Sequence, residues 1–373
     1  MNDFLCATRA PSQSFGLAVR TTPLLLLFLL AAGCDSDSAA NRLEGTEPQD
    51  CSDGADNDGD GDFDCADSGC ANSPLCQADG GGTDVDAGVD CECDINDECQ
   101  DNCLCDTDCD EPVPFTQVSA GQGHTCGLRS NGSLACWGDN ASGQTAVPAG
   151  TFTQVSAGTS ITCGVLTDDS VKCWGSNASG EATAPPGFFV QVSAGKGLVC
   201  AVGTNDEIRC WGDDSVGQAS PPNGAFDSVG VGNRHGCAVA QSSGLMNCWG
   251  ENTSGQSTPP DGAFIGVSVA MGLGLSCGLR SSGEAVCWGF GLMGSDTPPA
   301  TTFSQISTGS LHSCGLRTDD TVVCWGANTL GQTDAPTGAF TQVSAGGSHT
   351  CGVRIDGSLT CWGNNENGES TPP

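Results

Sequence analysis

Phe115-Thr-Gln-Val-Ser-Ala-Gly121 decides the fold, because the chain writes this stretch seven times. It returns at 152–158, 189–195, 226–232, 264–272, 303–309 and 340–346. A cysteine follows each copy: Cys126, Cys163, Cys200, Cys237, Cys277, Cys314 and Cys351. A second closes each unit in a Cys-Trp-Gly triplet, at Cys136, Cys173, Cys210, Cys248, Cys287, Cys324 and Cys361. All seven tryptophans of the chain stand in these triplets. Successive first cysteines lie 37, 37, 37, 40, 37 and 37 residues apart. A fixed period of that length signals a repeat array.

Within a unit the pattern is strand-like. Cys126, Leu128, Leu134 and Cys136 share one face by two-residue alternation, around the turn Ser130-Asn131-Gly132. Asn131-Gly132 and Asp356-Gly357 are hairpin signals. No stretch has a 3.6-residue apolar period, and paired prolines such as Pro185-Pro186 and Pro259-Pro260 forbid helix at the unit ends. All-β units this thin cannot bury both faces alone, so they pack radially. The expected fold is an all-β, seven-bladed β-propeller over 115–373. A three-residue turn ending at Gly132 sets Cys126 directly opposite Cys136, within disulfide reach. The same pairing is expected in every unit; the competing reading keeps the cysteines reduced, as small hydrophobes.

The pattern Gly-x-x-His-Thr/Ser-Cys-Gly-Leu followed by Cys-Trp-Gly-x-Asn-x-x-Gly-Gln resembles the repeat of the regulator of chromosome condensation family. It stands here at 121–128 with 137–144, and at 309–316 with 325–332. The resemblance implies a closed ring in which the Phe115 strand completes the last blade. It also brings two precedents: a secreted bacterial β-lactamase inhibitor, which uses such a ring for extracellular protein recognition, and the eukaryotic namesake, which exchanges nucleotide on a small GTPase. Export and uniform repeats argue against the second role here.

Along the whole chain six segments are expected: a signal at 1–33, a linker at 34–50, a cysteine-bracketed acidic segment at 51–77, a Gly/Asp linker at 78–90, a cysteine-rich knuckle at 91–111 and the propeller at 112–373. Arg20, then Leu24 to Leu30, then Ala31-Ala32-Gly33-Cys34 describe an export leader too short to span a bilayer. Ala-Ala-Gly-Cys resembles the bacterial lipobox, which implies lipidation at Cys34 and a membrane anchor at the cell envelope, on the outer membrane or cell surface. The plain alternative is an ordinary cleaved signal. Between 51 and 67, Asp56, Asp58, Asp60, Asp62, Asp64 and Asp67 take places 1, 3, 5, 7, 9 and 12 of a calcium loop, with Gly61 at the sharp turn. This spacing resembles thrombospondin-type and dockerin repeats and implies calcium; the alternative is a solvated acidic spacer. Disulfides are expected to hold both cysteine-rich pieces, since zinc-finger spacings are absent and export favours oxidation.

Charge and composition narrow the function. The chain carries a net charge of −34 over 373 residues. Residues 112–373 hold 19 acids against eight bases, so −11, and the rest of the negative charge lies upstream. Such a surface repels phosphate backbones, so no nucleic acid is expected as a partner. Neither a nucleophile–base arrangement nor a phosphate loop is present, which argues against an enzyme. All four histidines, His124, His235, His312 and His349, occupy one repeat position. His124, His312 and His349 sit in neighbouring units of a closed ring, so a metal rim stands beside the reading as a structural repeat residue. The repeat is broken most in unit 5, which has two extra residues, reads Met271-Gly-Leu273-Gly-Leu275, and carries Phe290-Gly-Leu292-Met293 where others carry Asn-x-x-Gly. Both loops are expected on one side of the ring, where Lys196 and Arg234 add rare positive charge. Such a patch marks a protein contact; the alternative is a packing adjustment around the insertion. The expected function is extracytoplasmic binding of a protein partner, with an envelope spacer as the alternative.

Overall fold

The computed structural model describes residues 113–373. The expectations for Cys34, for the aspartates of 56–67 and for the cysteines of 51–109 lie outside the described residues. Over the described residues each repeat folds into one three-stranded antiparallel sheet, giving seven sheets and no helix. In the first blade these are β1 (Phe115–Ala120), β2 (His124–Arg129) and β3 (Leu134–Gly138), hydrogen-bonded in that order. The other six blades repeat this arrangement, with inner, middle and outer strands corresponding to β1, β2 and β3. The inner strands of successive blades contact one another right round the ring, and β1 meets the inner strand of blade 7.

The hairpin turn follows from local chemistry. Gly132 N donates to Arg129 O at 2.9 Å, Arg129 N donates to Ser133 O at 2.9 Å, and Gly132 sits at φ +82°. That left-handed position ends a three-residue loop. Asp169, Asp206 and Asp320 hold the same place in blades 2, 3 and 6 at φ 64–65°, a conformation aspartate tolerates better than most side chains. The register that results pairs Cys126 with Cys136, and likewise in each blade. All seven expected disulfides form, with Cα–Cα distances of 4.0–4.1 Å.

The core is not inside the blades but between them. Cys126 and Leu128 of blade 1 pack with Phe152, Val155 and Trp174 of blade 2. Ile161 and Val165 of blade 2 pack with Phe189 and Val199 of blade 3, and the series continues to Val353 of blade 7 against Val118 of blade 1. Each blade therefore lends one face to each neighbour, which is why no single repeat is stable alone.

Ring closure corrects one expectation. The Phe115 strand does not complete the last blade; β1 pairs with β2 of its own unit. The ring is closed instead by side chains, with Val118 N donating to Gln342 Oε1 at 2.6 Å and Ala120 N donating to Ser344 Oγ at 2.9 Å. Because every unit supplies three complete strands, no strand has to be borrowed.

Candidate functional site

The loops of interest lie at one end of the ring. The link between inner and middle strand (121–123 in blade 1) and the segment after the outer strand (139–144) are joined there by Asp139 N donating to Gly123 O at 2.8 Å. The second segment closes on itself. Ser142 N donates to Gln144 Oε1 at 2.8 Å, Gln144 Nε2 to Asp139 Oδ2 at 2.9 Å, and Thr145 N to Asn140 Oδ1 at 3.1 Å. This is the work of the Asn-x-x-Gly-Gln motif. Gln218, Gln256 and Gln332 repeat it, and Glu181 and Glu369 do so with a carboxylate. The backbone carbonyl of this buried residue then accepts the indole N–H of the next blade: Trp211 to Glu181, Trp249 to Gln218, Trp137 to Glu369, at 2.8–3.0 Å.

The histidines link blades as well. Their Nε2 atoms lie 2.7–2.8 Å from hydroxyls of the following blade: His124 with Thr162, His235 with Ser276, His312 with Thr350, His349 with Thr125. Burial, with a repulsive contribution from His349 on His124 and His312, lowers all four pKa values from 6.5 to about 4. Ile161, Leu198 and Leu275 take the same place elsewhere, and Ile161 faces Val199 in a shared core. Each histidine thus meets a hydroxyl in the following blade, whereas Ile161 meets Val199 and Leu275 stands opposite Ser313, whose hydroxyl donates to Ser295 O at 3.1 Å instead. The metal rim is corrected accordingly: among the described residues no three metal-ligating side chains converge.

A second set of links, not foreseen from the sequence, runs round the channel. Val155 N donates to Gln117 Oε1 while Gln117 Nε2 donates to Val155 O, at 3.0 and 3.1 Å, and Ala157 N donates to Ser119 Oγ at 2.8 Å. Gln154 with Ser156, Gln191 with Ser193, Gln305 with Ser307 and Gln342 with Ser344 serve the next blade in the same way. At these five junctions a backbone bond such as Gln122 N to Gly158 O (3.0 Å) lies beside the clasp. Gly121 permits that approach, since a Cβ there would stand 2.5 Å from Gly158 O.

Blade 5 interrupts all of this. The glutamine position holds Ser228 in blade 4 and Gly266 in blade 5, and the serine position holds Gly230 in blade 4. Among the described residues only Ser268, accepting from Thr308 N at 2.9 Å, remains of the clasp at the two junctions of blade 5. Ala270 replaces the close-approach glycine, and the backbone bond is missing at both junctions. Gly266 has nothing within 4 Å of a built Cβ, so Gly266→Gln has room to restore a clasp to blade 6. We expect it to raise unfolding free energy by about 1–2 kcal/mol, whereas Gln154→Ala lowers it by about 2–4 kcal/mol by stranding buried backbone groups; urea titration reads both.

The loops of blade 5 are rebuilt too. Phe290 N donates to Gly274 O at 3.1 Å, so the two apolar loops lie together as expected. Four of the six apolar residues form the exposed patch: Leu273 (53%), Phe290 (43%), Leu292 (38%) and Met293 (68%). Met271 and Leu275 are corrections. Both are buried, Leu275 with Cys277 and Phe303 in the core between blades 5 and 6, because it occupies the strand position that histidine holds elsewhere. Met293 has φ +54°, a left-handed conformation costing an ordinary side chain about 1–2 kcal/mol. Lys196 and Arg234 border one depression of about 380 Å³, and Arg234 and Leu273 border the next. A continuous strip therefore runs from Lys196 across blade 4 to Phe290. Arg129, Arg280, Arg317 and Arg354 stand at the opposite, hairpin end, and Lys172 and Arg209 lie in outer strands.

The model of the Regulator of chromosome condensation (RCC1) repeat matches residues 115–144, 152–181, 303–332 and 340–369. These are blades 1, 2, 6 and 7. Four of the seven blades thus carry the RCC1-type repeat. The unmatched blades, 3 to 5, are those that carry the strip. Among solved structures, the ectodomain of the Physcomitrella patens receptor kinase CR4 is similar at 26% identity and TM-score 0.59, over 67% of this chain and 74% of that one. The CRINKLY WD40 ectodomain of the Arabidopsis thaliana receptor kinase ACR4 is similar at 26% identity and TM-score 0.56, over 67% and 97%. Human WBSCR16, at 15% identity and TM-score 0.53 over 63% and 86%, shares the fold alone. No curated protein matches this chain in sequence.

Proposed function

We propose that this RCC1-type propeller is a non-enzymatic recognition scaffold, held outside the cytosol by a lipid anchor at Cys34, with the loop face of blades 3 to 5 as its protein-binding surface. The observation that carries this reading is the confinement of the departures. Four blades match the repeat model, and the rebuilt pair of apolar loops and the loop-face cations fall in the remaining three, with Leu330 of blade 6 a lone exposed apolar side chain on a matched blade's loop. Clustered apolar residues placed where the six other blades keep loops closed by a buried glutamine or glutamate do nothing for the ring itself, and an exposed patch of this kind marks a contact surface. Seven disulfides fit an oxidising compartment. The two plant receptor neighbours are likewise ectodomains, which supports a role in display outside the cell.

The test is site-specific photo-crosslinking in intact cells. A photoreactive residue at Phe290 is expected to give a discrete protein adduct, and one at Ile355, exposed at the hairpin end, to give none. Equal labelling from both positions, or none from Phe290, would favour an envelope spacer. Cys34→Ser is expected to release the protein from the membrane fraction.

A further inference from the structure

We infer that blade 5 is the release unit of the ring, a single blade that detaches and docks again while the other six stay assembled. The distribution of polar links is the first support. The five junctions that run from blade 6 through blades 7 and 1 to blade 4 each combine a glutamine, a serine and a loop-end backbone bond. The two junctions that bracket blade 5 lack the glutamine and the loop-end bond, and only Ser268 survives of the serines. What blade 5 retains is its share of two apolar cores, the indole bonds of Trp288 and Trp325, His235 with Ser276, and the hairpin-end bonds of Phe264 N and Phe303 N that every junction has. Space marks the loss. Ser228 Oγ is buried without a hydrogen-bond partner, and a Cβ built on Gly266 meets nothing within 4 Å. Val267 is half-buried where its six counterparts are buried, and the inner strand of blade 5 has four residues against six in every other blade.

Topology is the second support. Release of blade 5 breaks two incomplete junctions, whereas release of any other blade breaks at least one complete junction. The remaining six blades stay joined through the five complete ones, with the closure of blade 7 on blade 1 among them. Folded proteins open in such contiguous units, and the unit with the weakest attachments opens first. A net hydrogen bond shifts an opening equilibrium about fivefold. With the glutamine and backbone bonds missing on both sides, blade 5 opens at least about a hundredfold more often than any other blade. Each opening uncovers Met271 and Leu275, which are buried in the closed ring, and exposes the bridge between Cys277 and Cys287. It also frees the loops that carry Leu273 and Phe290 to move with the blade.

The test is native-state hydrogen exchange of the full-length protein with its disulfides intact, read by mass spectrometry on peptides from each blade. After correction for intrinsic rates, amides in the middle strand of blade 5 (Leu275–Leu279) are expected to exchange at least about a hundredfold faster than those in the matching strands of blade 2 (Ile161–Leu166) and blade 7 (His349–Arg354). G230S/G266Q returns a serine to the junction with blade 4 and a glutamine to the junction with blade 6. A Cβ on Gly230 would stand 3.5 Å from Val269 N, the group such a serine serves in the other blades. The double variant is expected to slow exchange in blade 5 at least about tenfold and to leave blade 2 unchanged. Q154A removes the clasp between blades 2 and 3, and should quicken exchange there without touching blade 5. Brief treatment with a dithiol followed by alkylation should label Cys277 and Cys287 before any other pair. None of these readouts depends on a bound partner. Equal protection in all seven blades, earliest exchange or labelling in another blade, or a blade 5 rate unmoved by the restored clasps would overturn the inference.

Discussion

Reduction of the seven blade disulfides under otherwise native conditions is expected to unfold the ring. Each bridge closes a loop of about eleven residues, which in the chain-entropy model contributes about 2–3 kcal/mol. Seven such contributions exceed the roughly 5–15 kcal/mol by which a folded domain outweighs its unfolded chain. Geometry makes the effect cooperative. The first cysteine of each pair is fully buried in the core between two blades, so opening one bridge disturbs a junction as well as a hairpin. A closed ring shares every junction between two blades, so loss at one site spreads. Intrinsic tryptophan emission is the natural probe, because the indoles stand beside the second cysteines and donate across the junctions. Titration with a phosphine reductant should give a red-shifted, unfolded spectrum. A single pair replaced, C163A/C173A, should lower unfolding free energy by about 2–3 kcal/mol while the ring persists. A fully reduced protein with native emission and unchanged denaturant midpoint would show that the apolar junctions suffice.

The fold was legible because its determinants are local and periodic. Seven Cys-Trp-Gly triplets, hairpin signals and paired prolines fix blade number, strand alternation and disulfide pairing without any long-range information. Leu275 and Met271 were misplaced for a definite reason. Apolar residues beside an insertion read as one exposed run, but the two-residue insertion is absorbed before Leu275, which then re-enters the strand register and faces its sister Gly289. The strand-borrowing closure failed because sequence alone does not say which side of the hairpin the Phe strand joins. The channel clasps went unseen because Gln117 and Ser119 look like ordinary half-exposed strand residues. Their signal was present as an absence, in the replacement of the glutamine by Ser228 and of the serine two places on by Gly230. The candidate strip itself was legible only as a break in pattern, and its subdivision into buried and exposed members required the register.

Acidification supplies the second large effect. From pH 6.5 down to 4 the ring is expected to lose stability steeply, and the four histidines are the cause. Burial holds their folded pKa at about 4, against 6.5 unfolded. A depressed histidine means that the unfolded chain binds more protons between those two values, so unfolding free energy rises with pH there. The contribution is fully present above pH 6.5, falls through the window, and levels off below about 4. Each group accounts for up to about 3 kcal/mol on the scale of 1.4 kcal/mol per pKa unit. Even half of that, over four sites, approaches the stability of a domain. Asp168, Asp319 and Asp356, whose pKa values are lowered from 3.8 by hydrogen bonds from Ser170, Thr321 and Ser358, have their midpoints below this window and do not imitate it. His235→Leu separates the cause from general acid sensitivity. Leu198 and Leu275 already fill the equivalent place, and Ser276 keeps a bond to Gln256 O at 3.4 Å, as Ser313 keeps one to Ser295 O opposite Leu275. The variant should unfold within about 1 kcal/mol of wild type at pH 7.5 and lose about a quarter less between pH 6.5 and 4, read by urea titration at each pH. A pH profile that the leucine leaves unchanged would mean that the histidines are already accommodated as cations, and that the junctions open by another route.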